Sequence, residues 1–268
     1  MKIEDFCLKE NEKPLDHIPV DGGFTNIFRT IGCIGDSLAS GEFESTDESG
    51  ANIDYHDFYE YSWGQYLARA TGSKVYNFSR GGMTAKKFME HFADENDVWN
   101  PEKICQAYII ALGVNDAVGN RDGIPVGNVG DINPEDYMQN ADTFCGWYAR
   151  IIQKIKQIQP QARIFLMTIP RDDSTRRNEL REYHAKLIYK LAELFDHTYV
   201  IDFLQYAPVF GSEVKKNFYL GSHMNPAGYS LVAKLVMSYI DYIIRSDFES
   251  FAQVAFIGRD MHNYNAKW

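Results

Sequence analysis

The spacing of apolar residues is what most constrains the fold of this chain. Five short runs, Thr30–Gly35, Lys74–Phe78, Gln106–Leu112, Arg163–Thr168 and Thr198–Asp202, are continuous rather than alternating and rich in Ile, Val, Tyr and Phe. Runs of that kind suit strands covered on both faces. Stretches with helical periodicity separate them. In Ser174–Phe195, the residues Leu180, His184, Leu187, Ile188, Leu191 and Phe195 fall on one face. Asn133–Gln159 reads as another helix, with Asn133 as N-cap and Pro134 in its first turn. Asn225-Pro226 opens a last helix whose face Leu231, Val232, Leu235, Val236, Ile240, Ile243 and Ile244 is predicted to be buried. Strands alternating with helices pair in parallel through right-handed crossovers, giving a doubly wound sheet. The ligand site of such a sheet lies beyond the carboxyl ends of its strands.

The chain has 268 residues, enough for one α/β domain with a full core, and we expect a single domain over 1–268. A net charge of −10 without any basic run argues against nucleic acid as a partner, since phosphate binding needs clustered Lys and Arg. Cys7, Cys33, Cys105 and Cys145 are far apart and form no CxxC pair, so they are expected to be reduced thiols rather than metal ligands. The first residues, MKIEDFCLKENEKP, carry no apolar signal core. No segment approaches the ~20 apolar residues of a bilayer span, so no membrane partner and a cytoplasmic location are expected. Two segments read as irregular, the acidic Gly41–Asp57 and the glycine-rich Val118–Ile132; both leave the carboxyl ends of strands, where substrate would be met.

Four places carry chemistry. Ser37, in Gly35-Asp36-Ser37, follows directly on the first strand and can project its hydroxyl into a cleft. Gly82, in Arg80-Gly81-Gly82-Met83-Thr84, follows the second, where a glycine N–H is a ready donor to a developing oxyanion. Asn115, in Gly113-Val114-Asn115-Asp116, ends the third and offers a side-chain amide for the same task. His223, in Gly221-Ser222-His223-Met224-Asn225-Pro226, sits on a loop just before the last helix. His184, by contrast, shares a face with apolar residues and reads as a core histidine. His56, in the acidic segment, is a weaker candidate for touching substrate.

Taken in order, these blocks resemble the SGNH (GDSL) hydrolase family, over about residues 30–245 and with an extension at each end. Gly82 is preferred to Gly81 because Gly82-Met83-Thr84 fits that family's glycine-x-threonine pattern. The resemblance implies a three-layer α/β/α sandwich, flavodoxin-like, with a five-stranded parallel sheet. It also implies a serine esterase needing neither metal nor cofactor, with Ser37 as nucleophile and His223 as base. The oxyanion would be held by the Ser37 and Gly82 N–H groups and the Asn115 amide. The chemistry is sound, because serine needs an adjacent base and an imidazole near ~6.5 can serve at neutral pH.

One position departs from the family pattern. Where an aspartate is usual, three residues before the histidine, this chain has Leu220. We therefore expect a Ser-His dyad in which a backbone carbonyl steers the imidazole, with Asp202, or else Glu213, as the possible displaced acid. The expected substrate is a small acyl ester, acetyl first, on a small molecule or carbohydrate. The rivals are a binding protein of the same fold without turnover, and an acyltransferase using the same acyl-enzyme. Nothing in the sequence sets the oligomeric state.

Overall fold

The computed structural model describes residues 2–268. Its strands in chain order are β1 (Thr30–Gly35), β2 (Glu42–Thr46), β3 (Ile53–Asp57), β4 (Lys74–Ser79), β5 (Ala107–Ala111), β6 (Arg163–Met167), β7 (Thr198–Ile201), β8 (Tyr219–Leu220) and β9 (His223–Met224). Five of them form the central parallel sheet in the order β4-β1-β5-β6-β7. Counting only these strands, the order is second, first, third, fourth, fifth, the flavodoxin-like arrangement. The chain reverses its direction of travel across the sheet at β1, so β1 and β5 open the switch-point crevice at their carboxyl ends.

Continuous apolar strands demand cover on both faces, and both are covered. On one side Ile31 and Cys33 of β1 and Phe165 of β6 meet Val232, Val236 and Ile240 of the helix Pro226–Ser246. On the other, Ile34, Ile110 and Leu166 meet Ile151 and Ile152 of the helix Phe144–Ile158 and Ile188 of the helix Thr175–Leu194. The result is a three-layer α/β/α sandwich. The helix Pro226–Ser246 is long and apolar enough by composition to cross a bilayer, contrary to the sequence expectation, but most of it is buried in this core. Asn225 caps it as expected, accepting from Gly228 N at 2.9 Å.

Three expectations need correction. The helix anticipated from Asn133 begins only at Phe144, capped by Thr143. Asn133 instead accepts from the N–H groups of Glu135 and Asp136, closing a local turn, and the polar stretch that follows has no apolar face to bury. Leu180 lies on the exposed side of its helix, whose buried stripe is His184, Leu187, Ile188 and Leu191. The segment read as irregular after β1 is a β-hairpin, β2 paired antiparallel with β3 and closed by a turn in which Gly50 N donates to Asp47 O. That third difference shapes the site.

Candidate active site

Ser37 begins a one-turn helix, Ser37–Ser40, at the end of β1. Asp36 caps that turn, accepting from Leu38 N at 3.0 Å. Burial pushes the Asp36 carboxyl up to about 6, against the favourable pull of Leu38 N–H and of His223. Asn115 lies in a wide helical turn, Val114–Val118, directly after β5, and is buried. Its amide donates to Met83 O at 3.0 Å and more loosely to Asp36 Oδ2 at 3.4 Å. One residue therefore ties the Gly82–Met83 turn to the turn that carries Ser37. The bond to Asp36 is the longer and looser of the two. Above the turn, a side chain on Gly82 would come within 3.0 Å of Arg121 Nη1, so the Arg121 guanidinium sits over that glycine.

His223 opens β9, which pairs with β8 so that Leu220 stands opposite it. Leu220 points outward and is 47% exposed. The carboxylates come from elsewhere. Nδ1 of His223 lies 2.7 Å from Glu44 Oε1, and Nε2 lies 3.0 Å from Glu42 Oε1. Strand period explains the pair: residues two apart on β2 point the same way, so Glu42 and Glu44 face the histidine while Phe43 packs behind on Tyr229. The Tyr229 hydroxyl anchors the hairpin by donating to Glu42 O at 2.6 Å. Tyr55, opposite Glu44 in the hairpin, sets its ring edge-on to the imidazole with centroids 5.6 Å apart.

Glu44 is held firmly. Ser222 N donates to it at 2.8 Å, the Ser222 hydroxyl bonds the same oxygen, and its other oxygen presses on bare Gly221. Burial works to raise its pKa, but the hydrogen bonds from Ser222 and His223 outweigh burial and hold the carboxyl below the ordinary range. Glu42 is shifted the other way. Burial raises it, repulsion from Asp57 and Glu44 adds to that, and the attraction of His223 only partly offsets both.

Neither expected carboxylate meets the histidine. Asp202 is buried, capping the turn Phe203–Tyr206 and accepting from Thr168 Oγ1 at 2.9 Å and Tyr189 OH at 2.8 Å. Its oxygens are taken by structural donors, and Glu213 is exposed on the helix Ser212–Phe218. A carboxylate, not a backbone carbonyl, meets Nδ1 of His223. His56 lies on the other side of β3, bonded to Ser45 Oγ and stacked on Phe58. His184 is a core histidine, bonded through Nε2 to Leu112 O at 3.2 Å; burial lowers it to about 4, and its Nδ1 has no partner among the described residues.

Beyond the Ser37 and His223 turns lies a cavity of about 290 Å³. Leu38, Val114, Ile169, Phe210 and Met224 line it, with Arg177 on its rim.

Residues 33–231 match the model of the GDSL-like lipase/acylhydrolase family. The chain belongs to that family. As a GDSL-like acylhydrolase it is a hydrolase, and Ser37, Gly82, Asn115 and His223 all lie within the matched region. No curated protein matches it in sequence. Among solved structures it is similar to a family two carbohydrate esterase from Clostridium thermocellum in complex with cellohexaose, at 16% identity and a TM-score of 0.56, covering 91% of this chain and 68% of that one. It is also similar to a carbohydrate esterase family 2 enzyme with a carbohydrate binding domain from Corynascus thermopiles, at 18% identity and 0.56, covering 79% of this chain and 65% of that one. A protein from Lactobacillus plantarum gives 14% identity and 0.57, covering 80% and 97%. At these identities the likeness is one of fold.

Proposed function

We propose that this GDSL-family hydrolase is a serine carboxylic ester hydrolase working through an acyl-enzyme, with Ser37 as nucleophile, His223 as base and Glu44 as the acid that steers the base. The observation that carries this reading is the Glu44–His223 Nδ1 contact of 2.7 Å on the loop beside the Ser37 turn. In the first half-reaction Ser37 Oγ bonds to the ester carbonyl carbon and its proton passes to His223 Nε2. The carbonyl oxygen becomes an oxyanion, held by the N–H groups of Ser37 and Gly82 and the Asn115 amide. The C–O bond to the alcohol then breaks, and the alcohol leaves with the proton from Nε2. Water repeats the sequence on the acyl-enzyme, releasing the acid and restoring the serine hydroxyl. Glu44 stays ionised throughout, fixing the ring with Nδ1–H and stabilising the imidazolium.

For the alcohol side we propose a carbohydrate. The exposed Tyr55, Tyr59 and Tyr61 of the hairpin region offer ring faces on which a sugar can stack, and family two carbohydrate esterases share the fold. For the acyl side, acetyl is the small-ester reading. The apolar cavity supports a second one, since about 290 Å³ is several times what an acetyl group fills. A panel of 4-nitrophenyl esters of rising chain length, run beside acetylated oligosaccharides, separates the two. The decisive test of the whole reading is Ser37→Ala. Turnover is expected to fall by up to ~10⁶ with the fold intact, and unchanged turnover in pure protein would remove Ser37 from the mechanism.

A further inference from the structure

The oxyanion assigned to Ser37, Gly82 and Asn115 would form among carboxylates. Asp36 precedes Ser37 and lies 3.4 Å from the Asn115 amide, and the far oxygen of Glu42 presses on bare Gly81. Each of these groups, when ionised, opposes a new negative charge beside it unless a cation offsets them.

Arg121 brings a cation to that place. Its backbone is fixed to the turn that carries the amide donor, because Arg121 N–H donates to Asn115 O at 2.9 Å. From there its guanidinium reaches Gly82, where a side chain would come within 3.0 Å of Nη1. Gly82, with φ 68° and no side chain, leaves the space that the guanidinium occupies. One residue thus spans two of the three donor positions, the first through its backbone and the second through its side chain. The cations that follow the Gly82 turn are occupied elsewhere, Lys86 with Asp142 and Lys87 with Asp122. The Arg121 side chain is exposed and, among the described residues, its guanidinium makes neither a hydrogen bond nor an ion pair. Asp36 and Glu42 both feel it as a favourable charge, although neither is close enough to pair with it.

We propose that Arg121 supplies positive charge to the oxyanion from above the Gly82 turn and so speeds both half-reactions. This rests on the ester hydrolase reading of Ser37, Gly82 and Asn115. No atom or proton passes to or from Arg121. Its field favours the charged transition state over the neutral ester, which is the condition for a gain in kcat.

The test is steady-state hydrolysis of 4-nitrophenyl acetate, a neutral ester, by wild type, Arg121→Gln and Arg121→Lys. Both half-reactions pass through an oxyanion, so kcat and kcat/KM should each fall roughly ten-fold in Arg121→Gln, with KM changed by less than about two-fold. That is less than the ~10²–10³ lost with a direct donor, because an exposed charge is screened. Arg121→Lys keeps a point charge on a flexible stem and should recover about a third or more of the wild-type kcat. Phenylboronic acid gives a second readout. When Ser37 Oγ bonds to boron and the serine proton passes to His223, the boron becomes a tetrahedral anion at the oxyanion site. Its inhibition constant should rise in Arg121→Gln by the factor that kcat/KM falls. Melting temperatures should agree across the set, since the side chain is exposed. Unchanged kcat, a rise in KM alone, Arg121→Lys no faster than Arg121→Gln, or undiminished boronate affinity overturns the proposal. Ser37→Ala run alongside keeps the readings apart. If it abolishes turnover while Arg121→Gln works at the wild-type rate, only the role of Arg121 falls. If Ser37→Ala retains turnover, the esterase mechanism falls and takes the role of Arg121 with it.

Discussion

Glu44 stands 179 residues before His223 in the chain, and no local motif links them. The proposed nucleophile, oxyanion donors and base each sit in a short block beside glycine, which is why their candidacy is legible in the sequence. Glu44, the proposed acid, has no block of its own; β2 brings its face against the histidine loop. The available signal was alternation, Glu42-Phe43-Glu44 followed across a glycine turn by Asp54-Tyr55-His56, which fits a two-faced hairpin better than an irregular loop. Glu44→Gln is the informative substitution. A glutamine amide can donate to Nδ1, favouring the tautomer with its proton on Nε2, which cannot accept from Ser37. We expect kcat to fall by ~10³–10⁴ with little change in thermal stability. Retention of more than a tenth of the activity would show that His223 needs no acid at that position.

At the scale of elements, the five sheet strands and the last helix were readable because burial on two faces leaves continuous apolar runs. The hairpin and the loop before Phe144 were not: the hairpin's alternation runs over only five residues in each strand, and the loop is closed by short-range bonds such as those from Glu135 and Asp136 N–H to Asn133 rather than by a helix cap. The turn after β5 lies between these cases. Gly113 has φ 132°, a conformation that L residues rarely adopt, and a side chain there would run into His184 Nε2 from the helix Thr175–Leu194. The glycine thus lets the helix close over the end of β5 while the chain swings Asn115 toward Met83 and Asp36. Gly113→Ala combines backbone strain with overpacking against a buried ring, together about 2–5 kcal/mol. In a protein of this size that lowers the melting temperature by roughly 5–15 °C. Calorimetry checks it, and an unchanged melt would mean that the helix can retreat at no cost.

At the scale of the whole molecule, the segment beyond the last helix, which the family resemblance left out, closes the end of the sheet opposite the site. Phe251, Val254 and Ile257 are buried in the same cluster as Phe28 of the β1 approach and Phe165 of β6. Arg163, the first residue of β6, is fully buried, and it donates through Nε and Nη2 to Ser250 O and through Nη1 to Gln161 O. Gln106, just before β5, donates to Val254 O at 2.9 Å. A chain ending at Ser246 would lose about 1.5–3 kcal/mol for each of the three apolar side chains. It would also leave the Arg163 guanidinium without its main acceptor, at about 1.5–3 kcal/mol for each charged hydrogen bond lost. Those losses together match or exceed the roughly 5–15 kcal/mol that holds a domain folded. We expect the truncated chain to be insoluble or to melt without a cooperative transition. Phe251→Ala in the full chain should still fold, at a cost of about 3–5 kcal/mol. A truncated chain that melts cooperatively near the wild-type temperature would show that the core closes without this segment. The Phe251→Ala result would then separate loss of packing from loss of the Arg163 acceptor, because that variant keeps Ser250 in place.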